Sequence, residues 1–226
     1  MNIETFASHE ALADAAADAL SEALMAPGAR SFAATGGTTP GPAYDVLASR
    51  SLPWADLTVT LTDERWVAPD DPLSNEGLVR ARLLKGAAKA AHFLPLKGDG
   101  ATPEDDAAKA DLALRRLLPF AAVLLGMGAD GHIASLFPGA PGLAADLDPA
   151  GERYCIGVDQ AGLDPRVPRI SLTARALMES ALIVVLITGE EKRALVERIG
   201  REPDYAPPVA TILRQGRTPV RVLWAA

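Results

Sequence analysis

The chain has little cysteine, no surplus of positive charge and no long hydrophobic run, and each absence excludes a class of protein. Cys155 is its only cysteine, so an internal disulfide is impossible and a reducing compartment, the cytoplasm, is expected. The formal net charge is −7, whereas general nucleic-acid binding needs a basic surface. The longest apolar run, 181–187, is too short to span a membrane.

Several sequence signals are also missing. Residues 1–10 include acidic residues and no apolar segment, so we expect no signal peptide. There is no Gly-Lys-Ser/Thr, which excludes a nucleotide P-loop. No repeat, low-complexity stretch or linker interrupts the 226 residues, of which 49% are hydrophobic and 23% charged. These values predict one globular domain, 1–226.

Strand and helix patterns alternate along the chain. Strands are predicted at 31–34, 57–62, 121–125, 154–158, 170–173, 181–188 and 220–224, with helices at 10–25, 40–47, 75–84, 102–118, 190–199 and 209–213. Such alternation predicts an α/β fold, an open and mostly parallel sheet with helices on both faces. Ligands of these sheets bind beyond the carboxyl ends of the strands.

The most informative stretch runs from Val123 to Gly139. An apolar strand is followed by three closely spaced glycines, Gly128 among them, around Asp130 and His132. Glycines allow sharp turns and a close approach to a ligand. An imidazole ordinarily titrates near neutral pH, so His132 is a candidate general base, with Asp130 orienting its ring. The simpler alternative is a histidine that closes a turn and an aspartate that caps the next helix.

A second candidate is the loop after the strand at 31–34. Gly36, Gly37 and Thr38 lie between this strand and a helix that begins with Pro40. Backbone N–H groups and the positive end of a helix favour an anion, and hydroxyls add donors. An ordinary strand-to-helix turn remains the alternative from these residues alone.

A charged triplet, Asp63-Glu64-Arg65, follows the strand at 57–62. A surface cluster is the usual meaning of such a triplet. At the carboxyl end of a parallel strand, however, Arg65 is suited to stabilise developing negative charge, and Asp63 to order a water or a sugar hydroxyl.

These residues together resemble one family. Gly-Met-Gly-Ala-Asp-Gly-His-Ile-Ala-Ser-Leu-Phe-Pro-Gly at 126–139 resembles the signature of 6-phosphogluconolactonases, which are grouped with glucosamine-6-phosphate deaminases. Segments 35–40, 62–67 and 74–80 fit the family in the same order. Deaminases usually continue after the histidine with Asn-Glu-Pro, where this chain has Ser-Leu-Phe-Pro. The divergence favours the lactonase.

The resemblance implies a Rossmann-like fold shared with glucosamine-6-phosphate deaminase and ribose-5-phosphate isomerase A. It implies hydrolysis of 6-phospho-D-glucono-1,5-lactone to 6-phospho-D-gluconate in the oxidative pentose phosphate pathway, by a water that His132 activates, without metal or cofactor. Arg65 or loop N–H groups would stabilise the oxyanion. The residues implied to bind substrate or its phosphate are Gly36, Gly37, Thr38, Asp63, Asn75, Arg80, Gly128, Arg169 and Lys192.

Two other functions stay open from the sequence. An aldose–ketose isomerase or deaminase of amino-sugar phosphates would need a further acid after the histidine, where Ser135-Leu136-Phe137 stands. A non-catalytic sugar-phosphate sensor would need an appended DNA-binding helix-turn-helix, and this acidic chain begins its own fold within the first dozen residues. We expect a monomer whose partner is a small sugar phosphate, with no nucleic-acid or membrane partner.

Overall fold

A seven-stranded parallel sheet forms the centre of the structure, a computed structural model that describes residues 2–159 and 166–226. In spatial order the strands are β1, β10, β9, β6, β2, β3 and β5, and every neighbouring pair is parallel. Their bounds are β1 Ile3–Phe6, β2 Ser31–Ala34, β3 Thr58–Leu61, β5 His92–Phe93, β6 Ala122–Leu125, β9 Ile183–Thr188 and β10 Val220–Ala225.

The central strands are buried on both faces. Every residue of β2 and β6 is buried, as are all but the last of β9. Continuous burial of this kind requires helices on both sides of the sheet, and the predicted α/β fold is confirmed. The helices are α1 His9–Met25, α2 Pro40–Ala48, α3 Asn75–Arg82, α4 Pro103–Leu114, α5 Leu143–Asp146, α6 Ala174–Met178, α7 Glu190–Arg201 and α8 Pro208–Arg214.

The strand order reverses between β2 and β6. From β2 the chain continues to β3 on one side, and from β6 it continues to β9 and β10 on the other. The connections that leave these two neighbouring strands therefore diverge and open a crevice at their carboxyl ends, which is where open α/β sheets bind ligands.

A second, three-stranded antiparallel sheet stands apart from the first. It consists of β4 Asp63–Arg65, β8 Arg169–Leu172 and β7 Cys155–Val158, in that order. The sequence predicted β7 and β8 as strands, but it predicted neither their separate sheet nor a strand at the charged triplet. Local alternation identifies a strand, whereas its partner depends on contacts distant in sequence.

Other differences from the predicted elements are small. Helix α4 ends at Leu114, short of the expected 118, because residues near Pro119 cannot continue a helix. Strand β1 was not predicted, and it lies at an edge of the main sheet beside β10. Within the two described ranges, no helix is long and apolar enough to cross a bilayer.

Candidate active site

A cavity of about 270 Å³ opens at the carboxyl ends of the parallel strands. Its lining comes from the segments after β2, β3 and β6, from the second sheet and from α7. Ten of the twelve residues predicted for the site line it, namely Gly36, Gly37, Thr38, Asp63, Arg65, Asn75, Gly128, His132, Arg169 and Lys192.

The His132 side chain is oriented by Asp130. The Nδ1 atom lies 2.6 Å from the Asp130 Oδ1 atom, and the backbone N–H of His132 donates to the same oxygen at 3.1 Å. A carboxylate can only accept, so in the neutral ring Nδ1 holds the proton and Nε2 retains its lone pair. Asp130 does not cap a helix, since the next helix after it among the described residues begins at Leu143. The helix-cap alternative is therefore wrong.

Two glycines fix the shape of this loop. A Cβ atom on Gly128 would lie 2.2 Å from His132 Nδ1 and 2.6 Å from Asp130 Oδ1, so a side chain there would displace the pair. Gly131 has φ +80° and packs against Pro207, which its Cβ atom would approach to 2.6 Å. The Gly131 carbonyl also accepts the N–H of Val209 at 3.0 Å, which ties the loop to α8.

The loop before α2 packs against the start of α3. A Cβ atom on Gly36 would lie 1.8 Å from the Asn75 Oδ1 atom, so the two residues are in direct contact. The buried Tyr44 hydroxyl, on α2, donates to the Thr35 carbonyl at 2.6 Å and so holds the start of the loop against the helix. No side chain caps α2 at Thr39, which leaves the positive end of that helix available to a ligand.

Glu64 joins β4 to α3 and points away from the cavity lining. Its carboxylate accepts the backbone N–H groups of Arg65, Asn75 and Glu76 at 2.7 to 2.8 Å and the Ser74 hydroxyl at 3.1 Å. Burial raises the pKa of Glu64, and these four donors act in the opposite direction. Glu64 thus fixes Asn75 in place, while Ser74 caps α3.

Arg65 and Arg169 stand side by side in the cavity. They occupy directly opposite positions on β4 and β8, so both side chains project from the same face of the second sheet. Arg65 donates to the Leu73 carbonyl at 2.5 Å. The Nε atom of Arg169 is buried and has no hydrogen-bond partner among the described residues. Burial lowers the pKa of Arg169, and the nearby Asp63 carboxylate partly offsets that effect.

Phe137 supports both the histidine and the arginine. Its ring centroid lies 4.5 Å from that of His132, and the Arg169 Cζ atom lies 5.4 Å from the Phe137 ring centroid.

Lys192, in the first turn of α7, adds a third basic side chain to Arg65 and Arg169. Along the part of the lining that the structure describes, three basic side chains accompany one carboxylate, Asp63. The cavity is therefore suited to an anion although the whole chain is acidic.

Two predicted site residues lie outside the lining. Asp130 stands behind His132, as described above. The Arg80 guanidinium donates to Glu76 at 2.7 Å and stacks 4.5 Å above the Phe93 ring, and Arg80 is absent from the cavity wall. We therefore leave Arg80 out of the proposed substrate site.

The cavity also includes residues that the sequence did not single out for the site, among them Thr35, Thr39, Ala134 and Leu186. The two threonines lie in a loop already marked by its glycines. Leu186 belongs to the interior of a hydrophobic strand and had no distinguishing signal. Across residues 2–159 and 166–226, no group of three or more His, Cys, Asp or Glu side chains has an arrangement that could hold a metal ion.

Comparisons with known proteins agree with one another. Residues 4–224 match the sequence model of a family described as glucosamine-6-phosphate isomerases/6-phosphogluconolactonase. A 6-phosphogluconolactonase of Caulobacter vibrioides is 49% identical over 100% of this chain and 97% of the relative. A 6-phosphogluconolactonase of Mesorhizobium japonicum is 42% identical, in an alignment that covers 95% of this chain and 90% of the relative. The crystal structure of a 6-phosphogluconolactonase from Shewanella baltica superposes with a TM-score of 0.92 at 34% identity, covering 99% and 97% of the two chains.

Proposed function

Because the chain belongs to the family of glucosamine-6-phosphate isomerases and 6-phosphogluconolactonases, and is a lactonase of that family, we propose that His132 activates the water that opens the lactone. The reaction is hydrolysis of 6-phospho-D-glucono-1,5-lactone to 6-phospho-D-gluconate in the oxidative pentose phosphate pathway. With its single cysteine, the chain is suited to work in the cytoplasm.

The anionic end of the substrate binds the cationic part of the cavity. Among the described residues, the buried Nε atoms of both Arg65 and Arg169 have no hydrogen-bond partner, and a buried charge without a partner is costly unless a ligand supplies one. Lys192 and the loop around Gly36, Gly37 and Thr38 complete this part of the cavity. Binding energy from the phosphate, which does not react, then holds the lactone ring in a reactive position.

His132 acts at the other part of the cavity. Its free Nε2 atom accepts a proton from water as the water oxygen bonds to the lactone carbonyl carbon. Asp130 stabilises the imidazolium that forms, and Arg65 or backbone N–H groups of the loop stabilise the oxyanion. The bond from that carbon to the ring oxygen then breaks, and His132 returns the proton to the departing oxygen. In this proposal, Asp63 and Asn75 bind hydroxyl groups of the sugar.

One observation supports this proposal above the others. The Asp130–His132 pair adjoins the same cavity as Arg169, whose buried Nε atom has no hydrogen-bond partner in the described part of the chain. A base alone is consistent with many hydrolases, and a cationic pocket alone with many sugar-phosphate binders. Their combination without a second acid after the histidine favours hydrolysis over deamination.

The test is a coupled assay of the wild type and of His132→Ala. Glucose-6-phosphate dehydrogenase generates the lactone, 6-phosphogluconate dehydrogenase reports its hydrolysis, and the spontaneous opening is subtracted. We expect His132→Ala to lower kcat by about a hundredfold to ten-thousandfold, with a much smaller change in KM.

His92→Ala is the matched control, because His92 is an exposed histidine on the edge strand β5 and is not part of the cavity. It should keep wild-type kinetics. An unchanged kcat in His132→Ala would contradict the assignment of the base. A wild type that does not accelerate the reaction, but releases ammonia from glucosamine 6-phosphate, would replace hydrolysis with deamination.

A further inference from the structure

Ser135 makes a buried contact with the cavity carboxylate. Only 1% of Ser135 is exposed, and its hydroxyl donates to the Asp63 Oδ2 atom at 2.6 Å across 72 positions of sequence. Its backbone N–H donates to the Ser171 hydroxyl at 3.0 Å, and that hydroxyl donates to the Leu172 carbonyl. The hydroxyl and the backbone N–H of Ser135 thus both make hydrogen bonds within the protein.

Asp63 is held from two other directions. The Thr62 hydroxyl lies 3.3 Å from the Asp63 Oδ1 atom, and the Asn75 amide lies 3.5 Å from the same oxygen. The Asn75 amide also donates to the Asp63 backbone carbonyl at 2.8 Å. The contact from Ser135 is the shortest of these side-chain contacts and the only one to Oδ2 among the described residues. Without it, only the two longer contacts to Oδ1 would restrain the rotation of the carboxylate.

Arg169 carries the opposite charge, and a rotated Asp63 carboxylate could reach it. Asp63 pairs with Ser171 across the second sheet and Arg65 pairs with Arg169, so Asp63 and Arg169 are diagonal neighbours on one face. Diagonal positions are about 7 to 8 Å apart, a span that an arginine side chain can cross. Yet no hydrogen bond joins the two groups within the described residues, and the Arg169 Nε atom stays unpaired.

We propose that Ser135 is a positioning residue that holds the Asp63 carboxylate away from Arg169, and so keeps the Arg169 guanidinium available for the anionic group of the substrate. Opposite charges in a site of low dielectric attract each other strongly. A short hydrogen bond to the carboxylate is strong enough to compete with that attraction. The inference rests on the proposed function, in which Arg169 binds phosphate.

A double-mutant cycle with inorganic phosphate as the probe tests the inference. Isothermal titration calorimetry gives the dissociation constant of phosphate for the wild type, Ser135→Ala, Asp63→Asn and the double variant. We expect Ser135→Ala to weaken phosphate binding about tenfold, because the released carboxylate pairs with Arg169. In the Asp63→Asn background the same substitution should have no effect, since an amide forms no ion pair.

Ser31→Ala is the matched control. Ser31 is also fully buried and also donates at 2.6 Å, to the Leu117 carbonyl, but it begins β2 and does not touch the cavity. It should bind phosphate as the wild type does. Thermal melts of all variants report whether each one folds.

Three results would overturn the inference: equal weakening by Ser135→Ala in both backgrounds, no weakening in either, or no phosphate binding by the wild type. The first would mean that Ser135 only supports the local packing. The lactonase assay distinguishes failure of the inference from failure of the proposed function. A wild type that binds phosphate but does not accelerate hydrolysis contradicts the function alone, whereas an active wild type with unchanged binding in Ser135→Ala contradicts the inference alone.

Discussion

At the scale of single residues, two glycines shape the cavity because they lack a side chain. Gly36 leaves room for the Asn75 amide, and Gly128 leaves room for the Asp130–His132 pair. In both places the required property is the absence of a Cβ atom, since neither glycine has a positive φ. Gly36 thus leaves space for a side chain from a distant segment, and Gly128 leaves space for two side chains of its own loop.

Gly36→Ala should disturb the site and the fold together. The new methyl group would have to displace the Asn75 side chain, which would lose its hydrogen bond to the Asp63 carbonyl. We expect a loss of about 1 to 3 kcal/mol in the free energy of unfolding and a raised KM. Chemical denaturation and the coupled assay measure the two effects.

The control for this substitution is Gly200→Ala. Gly200 lies in α7, and a Cβ atom there meets nothing within 4 Å. An alanine in a helix is more favourable than a glycine by about 0.5 to 1 kcal/mol, so this variant should be equally or more stable and fully active. If Gly36→Ala behaves in the same way, the contact with Asn75 does not constrain the site.

At the scale of the elements, the two helices that bring the anion loop and Asn75 together are joined by an ion-pair cluster. Asp45 on α2 accepts from Arg82 on α3 and from Lys85 at 2.6 Å. The hydrogen bond from Arg82 lowers the pKa of Asp45 below its usual value, and Lys85 adds to the effect. The cluster is partly exposed, so its contribution to stability is that of a surface pair, about 0.5 to 1 kcal/mol.

Asp45→Asn should therefore lower stability at pH 7 but not in acid. A carboxylate whose pKa is lowered by folding adds stability above the pKa of the unfolded state, about 3.9. That stability is lost as the pH falls through the lower folded pKa. Urea denaturation of both proteins at pH 7 and near pH 3 should show a difference of about 0.5 to 1 kcal/mol that disappears at the lower pH.

Asp99→Asn provides a comparison, because Asp99 pairs with Lys109 at 2.7 Å but is 94% exposed. We expect no measurable change in stability at either pH. A difference for Asp45→Asn that persists near pH 3 would mean that the substitution acts through packing and not through charge.

At the scale of the whole molecule, little apolar surface is available for self-association. In the described part of the chain, the exposed large hydrophobic side chains are Met25, at the end of α1, and Leu112, on α4. Single exposed hydrophobic residues are ordinary on monomeric proteins. The cavity of a single chain brings together His132 and the basic side chains that the proposed chemistry uses.

We therefore expect a monomer of 23.6 kDa in solution. Sedimentation velocity over a hundredfold range of concentration should give a constant mass near this value. A mass that doubles with concentration would contradict the expectation, and Leu112→Glu would then test whether the exposed leucine lies in the interface.

Most of the secondary structure and much of the candidate site could be predicted because their signals are local. An apolar run predicts a buried strand, helical spacing predicts α1, and glycines around Asp130 and His132 identify a loop for chemistry. The short edge strand β1 was less accessible, since it depends on pairing with β10, which is distant in sequence. The role of each site residue remains a prediction for the experiments above.

By itself, the sequence determined the α/β alternation, the loop that holds His132 and Asp130, and the glycine-rich loop before α2, because each is written in neighbouring residues. Only the tertiary structure decided which charges meet. Antiparallel pairing of β4 and β8 brings Arg65 beside Arg169, and a hydrogen bond joins Ser135 to Asp63, which lie 72 positions apart in the sequence. These contacts depend on how distant segments pack, and no local pattern encodes that.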